Sequence, residues 1–179
     1  MSNPVKSLGE CRIYICLFPP QGDHNITSTP TPGIPLLHHR CHFAAANLNY
    51  GEKNHEYRKY RLKDGVVRLW LYETAGGGGR ASITHIASIP SSIRHEPGSV
   101  PTEPLGIGNA EFNAGLKQSK FGYPILELYE LVNPVTLSEM KTRWAMGGAP
   151  MGWRYLEAPL WGDRWGKDHT RDDKVKKVF

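Results

Sequence analysis

Three short runs of β-favouring residues, Glu56–Leu62, Val66–Tyr72 and Ile83–Ile89, follow one another with turn-forming connections between them, and this succession most limits what the chain can become. Lys63-Asp64-Gly65 carries the Asp-Gly pair of a tight reversal between the first two, and Gly76–Gly79 supplies the flexible tip of a hairpin between the second and third. With 19 Gly and 14 Pro in 179 residues, the frequent turns continue along the chain and rule out a coiled coil or a helical bundle. Hydrophobic residues at 39% are enough to build a core, so a wholly disordered chain is ruled out as well. The length fits one domain, 1–179.

The remaining elements are read around that centre. Arg12–Phe18 alternates like an opening strand, and Pro19–Pro35, rich in Pro, Thr and Gly, makes a long loop over 19–36. His42–Tyr50 favours a short helix ending at Asn49 to Gly51. Pro90–Gly108 is irregular, Asn109 caps a helix over Ala110–Lys120, and Tyr123–Leu131 is a further strand. Thr136-Leu137-Ser138-Glu139 has capping-box spacing and starts a helix that reaches Trp144. Ala145–Phe179 is a Trp-rich extension without a clear period, closing on Lys174, Lys176 and Lys177. These elements predict an α+β domain built on a small mixed β-barrel with two or three short helices.

The 22 Lys and Arg against 17 Asp and Glu leave a formal charge of +5, which suits a phosphate-bearing partner. No apolar run reaches the length of a membrane span, and Met1–Ser7 lacks the order of a secretory signal, so a soluble intracellular protein, cytoplasmic or nuclear, is expected. Cys11, Cys16 and Cys41 cannot all pair and show no CxxC spacing, so reduced thiols are the default.

The most specific pattern is Gly51-Glu52-Lys53-Asn54-His55-Glu56-Tyr57-Arg58. In an extended segment Glu56 and Arg58 share one face while Tyr57 turns to the other, and Lys53 on the preceding turn reaches over the first face. A positive, negative, positive cluster results. Its carboxylate can accept hydrogen bonds from base or amide N–H groups, and its cations can hold phosphate or an oxyanion. Gly51, Lys53, Glu56 and Arg58 resemble the GxKxxExR signature of the ASCH domain family, whose members adopt the PUA-like fold. Ile125–Lys141 is similar to the strand, Pro-Val-Thr-Leu turn and helix start of EVE domains, another PUA-like group.

The resemblance implies a cleft lined by Lys53, Glu56 and Arg58 that binds RNA, tRNA included, or a nucleotide or nucleoside. No cofactor and no membrane partner are expected. Some ASCH-like proteins are instead nucleases, or amidohydrolases acting on acylated cytidine with a Lys, a Thr and a Glu. Glu56 stands where those amidohydrolases carry Thr, so the hydroxyl is missing. The enzyme alternative is acyl transfer or amide hydrolysis on a nucleoside or an RNA-borne acyl group, aminoacyl-tRNA included, or RNA cleavage, with Lys53 as base or nucleophile and Glu56 as proton shuttle. A protein-interaction module with a degenerate cleft is the third reading, and a solvated ion-pair network that steadies the turn is the plain one.

Other features are less specific. His38, His39, Cys41 and His42 have zinc-compatible donors, but neighbouring residues seldom converge on one ion and no second half-site is visible. Trp144, Trp153, Trp161 and Trp165, with Tyr155, alternate with Arg143, Arg154, Arg164 and Arg171; bases could stack there, or the rings could close a barrel. Trp153 and Trp161 are expected in the core, and Trp165 exposed and available to a ligand. Gly106-Ile107-Gly108-Asn109 ahead of a helix is an anion-site candidate, with Asn109 as a ligand-binding residue, or a simple cap. The Lys174–Lys177 tail reads as a solvated end.

Overall fold

Leu69, Trp70, Leu71 and Tyr72 are all buried, which requires that the strand carrying them be covered on both faces. That strand lies at the edge of the larger sheet in a computed structural model that describes residues 52–75, 79–150, 153–156, 158–166 and 168–179. In chain order the strands are β1 (His55–Arg58), β2 (Arg68–Glu73), β3 (Ser82–Ser88), β4 (Phe121–Pro124), β5 (Glu127–Thr136) and β6 (Val175–Lys177), so the doubly covered strand takes the label β2. The helices are α1 (Asn109–Asn113), α2 (Leu137–Thr142) and α3 (Ala158–Arg164), followed by a 3₁₀ turn at Asp168–Thr170. The strand at Arg12–Phe18, the loop 19–36, the helix at His42–Tyr50, the His38, His39, Cys41 and His42 group, and Gly51 all lie outside the described residues.

Successive side chains on β2 point to opposite faces. Leu69 and Leu71 join Leu62, Ala87, Tyr123 and Leu128 in one core cluster. Trp70 and Tyr72 join Ile83, Ile86, Met140 and Trp165 in the other. The larger sheet runs β2-β3-β5-β6, and β1 and β4 form a separate two-stranded sheet. Every pairing among the described strands is antiparallel, with Trp70 opposite Ile86, Tyr129 opposite Lys177 and His55 opposite Pro124. The result is an α+β chain of antiparallel sheets with a few short helices. In place of the expected mixed barrel, the described strands form two sheets that do not close on each other. No described helix is long and apolar enough to cross a membrane.

Several expected elements change for identifiable reasons. The chain reverses at Asp64-Gly65, with Gly65 at φ 86°, but the runs on either side do not pair. Leu62 and Val66 are drawn into the core, and β1 and β2 go to different sheets. The β2–β3 hairpin forms as expected. The single strand expected over Tyr123–Leu131 divides, because Pro124 ends β4 without an N–H to donate and the chain then crosses to the larger sheet as β5. The helix expected to run to Lys120 stops at Asn113, just before Gly115 in the left-handed region at φ 71°. Its cap is Gly108, and the Asn109 side chain is committed elsewhere.

Half of the capping box is present. Thr136 Oγ1 accepts from the Glu139 N–H at 3.2 Å, and the Glu139 carboxylate accepts from Arg143, Trp144 and Arg164. The extension without a visible period contains α3 and β6. Val175 is buried opposite Leu131, Lys177 pairs with Glu127 at 2.7 Å, and Lys174 Nζ donates to the carbonyls of Gly162 and Asp163. The basic tail is therefore an edge strand whose lysines Lys176 and Lys177 alone remain exposed, not a solvated end.

Candidate functional site

Strand β1 is only four residues long, so its position depends on what holds its ends. The Glu52 and Asn54 carbonyls accept from Ile107 and Ile125 N–H, and the Arg58 carbonyl accepts from Lys120 N–H, each at 2.8 Å. Asn54 Nδ2 donates to the Pro104 carbonyl at 2.9 Å. Gly106 lies against the same amide so closely that a Cβ there would come within 2.0 Å of Asn54 Oδ1, so any larger residue would push the Asn54 amide from its place.

On that fixed strand the three charged residues converge as the alternation predicts. Lys53 Nζ donates to Glu56 Oε2 at 2.6 Å, and Arg58 Nη2 lies 2.5 Å from Glu56 Oε1. The Glu56 side chain is 2% exposed, against 12% for Lys53 and 11% for Arg58. Each carboxylate oxygen therefore faces its own cation, and what solvent touches of the trio belongs almost entirely to Lys53 and Arg58. Two cations against one carboxylate leave the group one unit positive.

Tyr57 faces the other way. Its hydroxyl donates to Asn109 Oδ1 at 2.7 Å, and its ring packs on Phe112 with centroids 4.4 Å apart. Burial, with Glu111 and Glu56 adding to it, holds the phenol well above the ordinary tyrosine range, so it stays a donor. Asn109 is buried and sits on the Tyr57 side of the strand, so it is not brought to the Lys53–Glu56–Arg58 face. It anchors Tyr57. Trp165, expected exposed and available to a ligand, is buried in the core cluster with Trp70, on the other side of the larger sheet from the cluster beneath Tyr123. Trp153, expected buried, is exposed, and Trp161 is half-buried against the core. Among the described residues no group of three or more His, Cys, Asp or Glu side chains could hold a metal ion.

Sequence reasoning overlooked His55, the signature's own interior residue. Its Nδ1 lies 2.8 Å from Asn54 Oδ1, and because Asn54 Nδ2 is fixed on a carbonyl, that oxygen can only accept and Nδ1 carries the proton. Nε2 is buried without a partner, and the ring meets His95 edge-on at 5.3 Å. Burial, helped by His95, lowers the His55 pKa from 6.5 to about 4. The unfolded chain therefore binds the extra proton first. The stability due to neutral His55 is complete above about pH 6.5 and declines as pH falls towards 4, by at most roughly 3 kcal/mol. His85, its pKa lowered by burial, acts in the same direction. Urea denaturation at pH 7, 5.5 and 4.5 should show this decline, and His55→Gln should flatten it; an equal slope in the variant would refute the assignment.

No family model matches the chain, and no curated protein matches it significantly. Among solved structures it is similar to an ASCH protein from Zymomonas mobilis, at 15% identity over 64% of this chain and 82% of that one, with a TM-score of 0.45. A likeness of that degree assigns no residue a role.

Proposed function

We propose that this is an ASCH-type, PUA-like protein that binds RNA or a nucleotide through Lys53 and Arg58, with Glu56 setting their geometry from behind. The observation that carries the reading is the ordering of exposure within the trio: a carboxylate at 2% behind two cations at 12% and 11%. A site built this way offers a phosphate two positive head groups held at fixed positions, so the ligand need not order them on binding. The GxKxxExR pattern and the charge of +5 support the same reading. Acyl transfer through Lys53 is less well supported, because its Nζ is already committed as a donor to Glu56 at 2.6 Å.

Titration of a labelled single-stranded RNA at several salt concentrations tests this. Affinity should fall steeply with salt, and Lys53→Ala should weaken binding about tenfold while reducing the log–log salt slope by about 0.7, the share of one phosphate contact on a single strand. Binding by Lys53→Ala with unchanged affinity and slope would overturn the reading, as would turnover of an acylated nucleoside that disappears in the same variant.

A further inference from the structure

Three of the seven large hydrophobic side chains left exposed among the described residues gather around the segment that carries Lys53. They are Leu105 at 77% exposure, Leu126 at 59% and Ile107 at 42%. Backbone bonds put them there. The carbonyl of Glu52, just before Lys53, accepts from Ile107 N–H at 2.8 Å. The carbonyl of Asn54, just after it, accepts from Ile125 N–H at 2.8 Å, and the Asn54 side chain donates to the Pro104 carbonyl at 2.9 Å. Both Glu52 and Asn54 are one residue, about 3.8 Å of chain, from Lys53. Ile107 is itself an anchor, Leu105 follows Pro104, and Leu126 follows Ile125. A single exposed aliphatic side chain needs no explanation, but three from two separate stretches of chain, tied to either side of one cation, make an apolar ledge.

The ledge is fixed in place. Leu126 N–H donates to the Ser88 carbonyl at 2.8 Å, and Ile125 beside it is buried. Gly106, between Leu105 and Ile107, lies against the Asn54 amide, and its carbonyl accepts from Asn109 N–H at 3.1 Å. A ligand that packs here does not have to order the chain first. Phosphate cannot be what covers it, because an anion set against aliphatic carbon loses hydration and gains no hydrogen bond. A ligand that uses both the trio and the ledge must carry a charged end joined to an uncharged, largely apolar body. A nucleotide with an unpaired base is built that way, whereas a duplex keeps the faces of its bases inside its own stack.

From this arrangement we infer that Leu105, Ile107 and Leu126 receive the base and ribose of an unpaired nucleotide whose phosphate meets Lys53 and Arg58. The inference rests on the proposed function and extends it from the phosphate to the nucleoside. The N–H groups of Ile107, Ile125 and Leu126 and both ends of the Asn54 amide already have partners. The ledge therefore offers a base contact area in place of hydrogen bonds to its edges, and discriminates little among bases.

The test measures binding of the four nucleoside monophosphates, ribose phosphate, and a short RNA as single strand and as duplex. The proteins are wild type, Leu105→Ser, Leu126→Ser, Val132→Ala and Lys53→Ala. Wild type should bind the monophosphates about tenfold more tightly than ribose phosphate and within about threefold of one another, and should prefer the single strand to the duplex. Leu105→Ser and Leu126→Ser should each weaken the monophosphates and the single strand about fivefold, with ribose phosphate binding and the salt slope unchanged. Val132→Ala, at an exposed residue further along β5, should change nothing, and Lys53→Ala should weaken every probe. If the serine variants lose affinity for the single strand while free monophosphates bind no variant or wild type measurably, the ledge stands and its nucleotide belongs to RNA. Wild-type affinity in both serine variants, or equal affinity of wild type for the monophosphates and ribose phosphate, overturns the ledge, and a loss confined to Lys53→Ala then leaves the phosphate site standing. A preference for one base beyond about tenfold overturns it too, since contacts to base edges would then hold the ligand. If no probe binds wild type, the proposed function itself fails.

Discussion

Trp165→Ala should destabilise the protein by about 3–5 kcal/mol, the range for removing a large aromatic side chain from a packed core. The indole is 1% exposed and packs in the cluster with Trp70, Leu131 and Met140. Tyr129 meets it edge-on at 5.0 Å, and the Arg68 and Arg171 guanidiniums lie over it at 4.5 and 4.6 Å. Alanine would leave a cavity and strip both guanidiniums of the ring they cover. For a chain of this size the loss corresponds to roughly 10 °C in melting temperature. Trp153→Ala, at an exposed ring, should cost under about 1 kcal/mol. Thermal and urea unfolding of both variants measure the contrast, and equal costs would mean that the extension does not contribute to the core as described.

That contrast reverses the expectation from sequence, for a physical reason. Helix α3 spans seven residues and β6 three, both shorter than the window in which a 3.6- or 2-residue period can be recognised. Nothing local distinguishes Trp153 from Trp165; Trp165 shares its cluster with Val175 of β6, and β6 is positioned by pairing with β5, some 45 residues earlier in the chain. The Asp64-Gly65 pair marked a real reversal, but a turn does not choose the partner of the strand that follows it. Burial of Leu62 and Val66 in the core made that choice. The β2–β3 hairpin was legible because its alternation and its pairing are both local. Lys53, Glu56 and Arg58 were legible for the same reason: six residues and the period of a strand are enough to bring them together. The Tyr57–Asn109 bond, between residues 52 apart, carries no such local sign.

The second large effect is expected at Glu56→Gln, and it separates structural cost from ligand binding. The neutral amide is close in shape to the carboxylate, but it offers one acceptor oxygen and one donor NH₂ where two donors now converge. Lys53 and Arg58 would be left largely uncompensated around a site that is 2% exposed, and breaking a buried ion pair from one side costs about 3–5 kcal/mol. If the trio were only a structural network, that loss would be the whole effect. If the two cations receive phosphate from solution, removing the charge behind them raises the net charge of the group from one positive unit to two. Folded Glu56→Gln should then bind single-stranded RNA at least as tightly as wild type and with a steeper salt slope. Inorganic phosphate should also restore part of its lost stability by mass action, and should do so more than it stabilises wild type. Were Glu56 instead the group that accepts hydrogen bonds from a base, the folded variant would lose affinity and phosphate would rescue neither property. Unfolding curves with and without phosphate, read beside RNA titrations of the folded variant, distinguish these outcomes, and reduced RNA affinity in the folded variant would refute the phosphate arrangement.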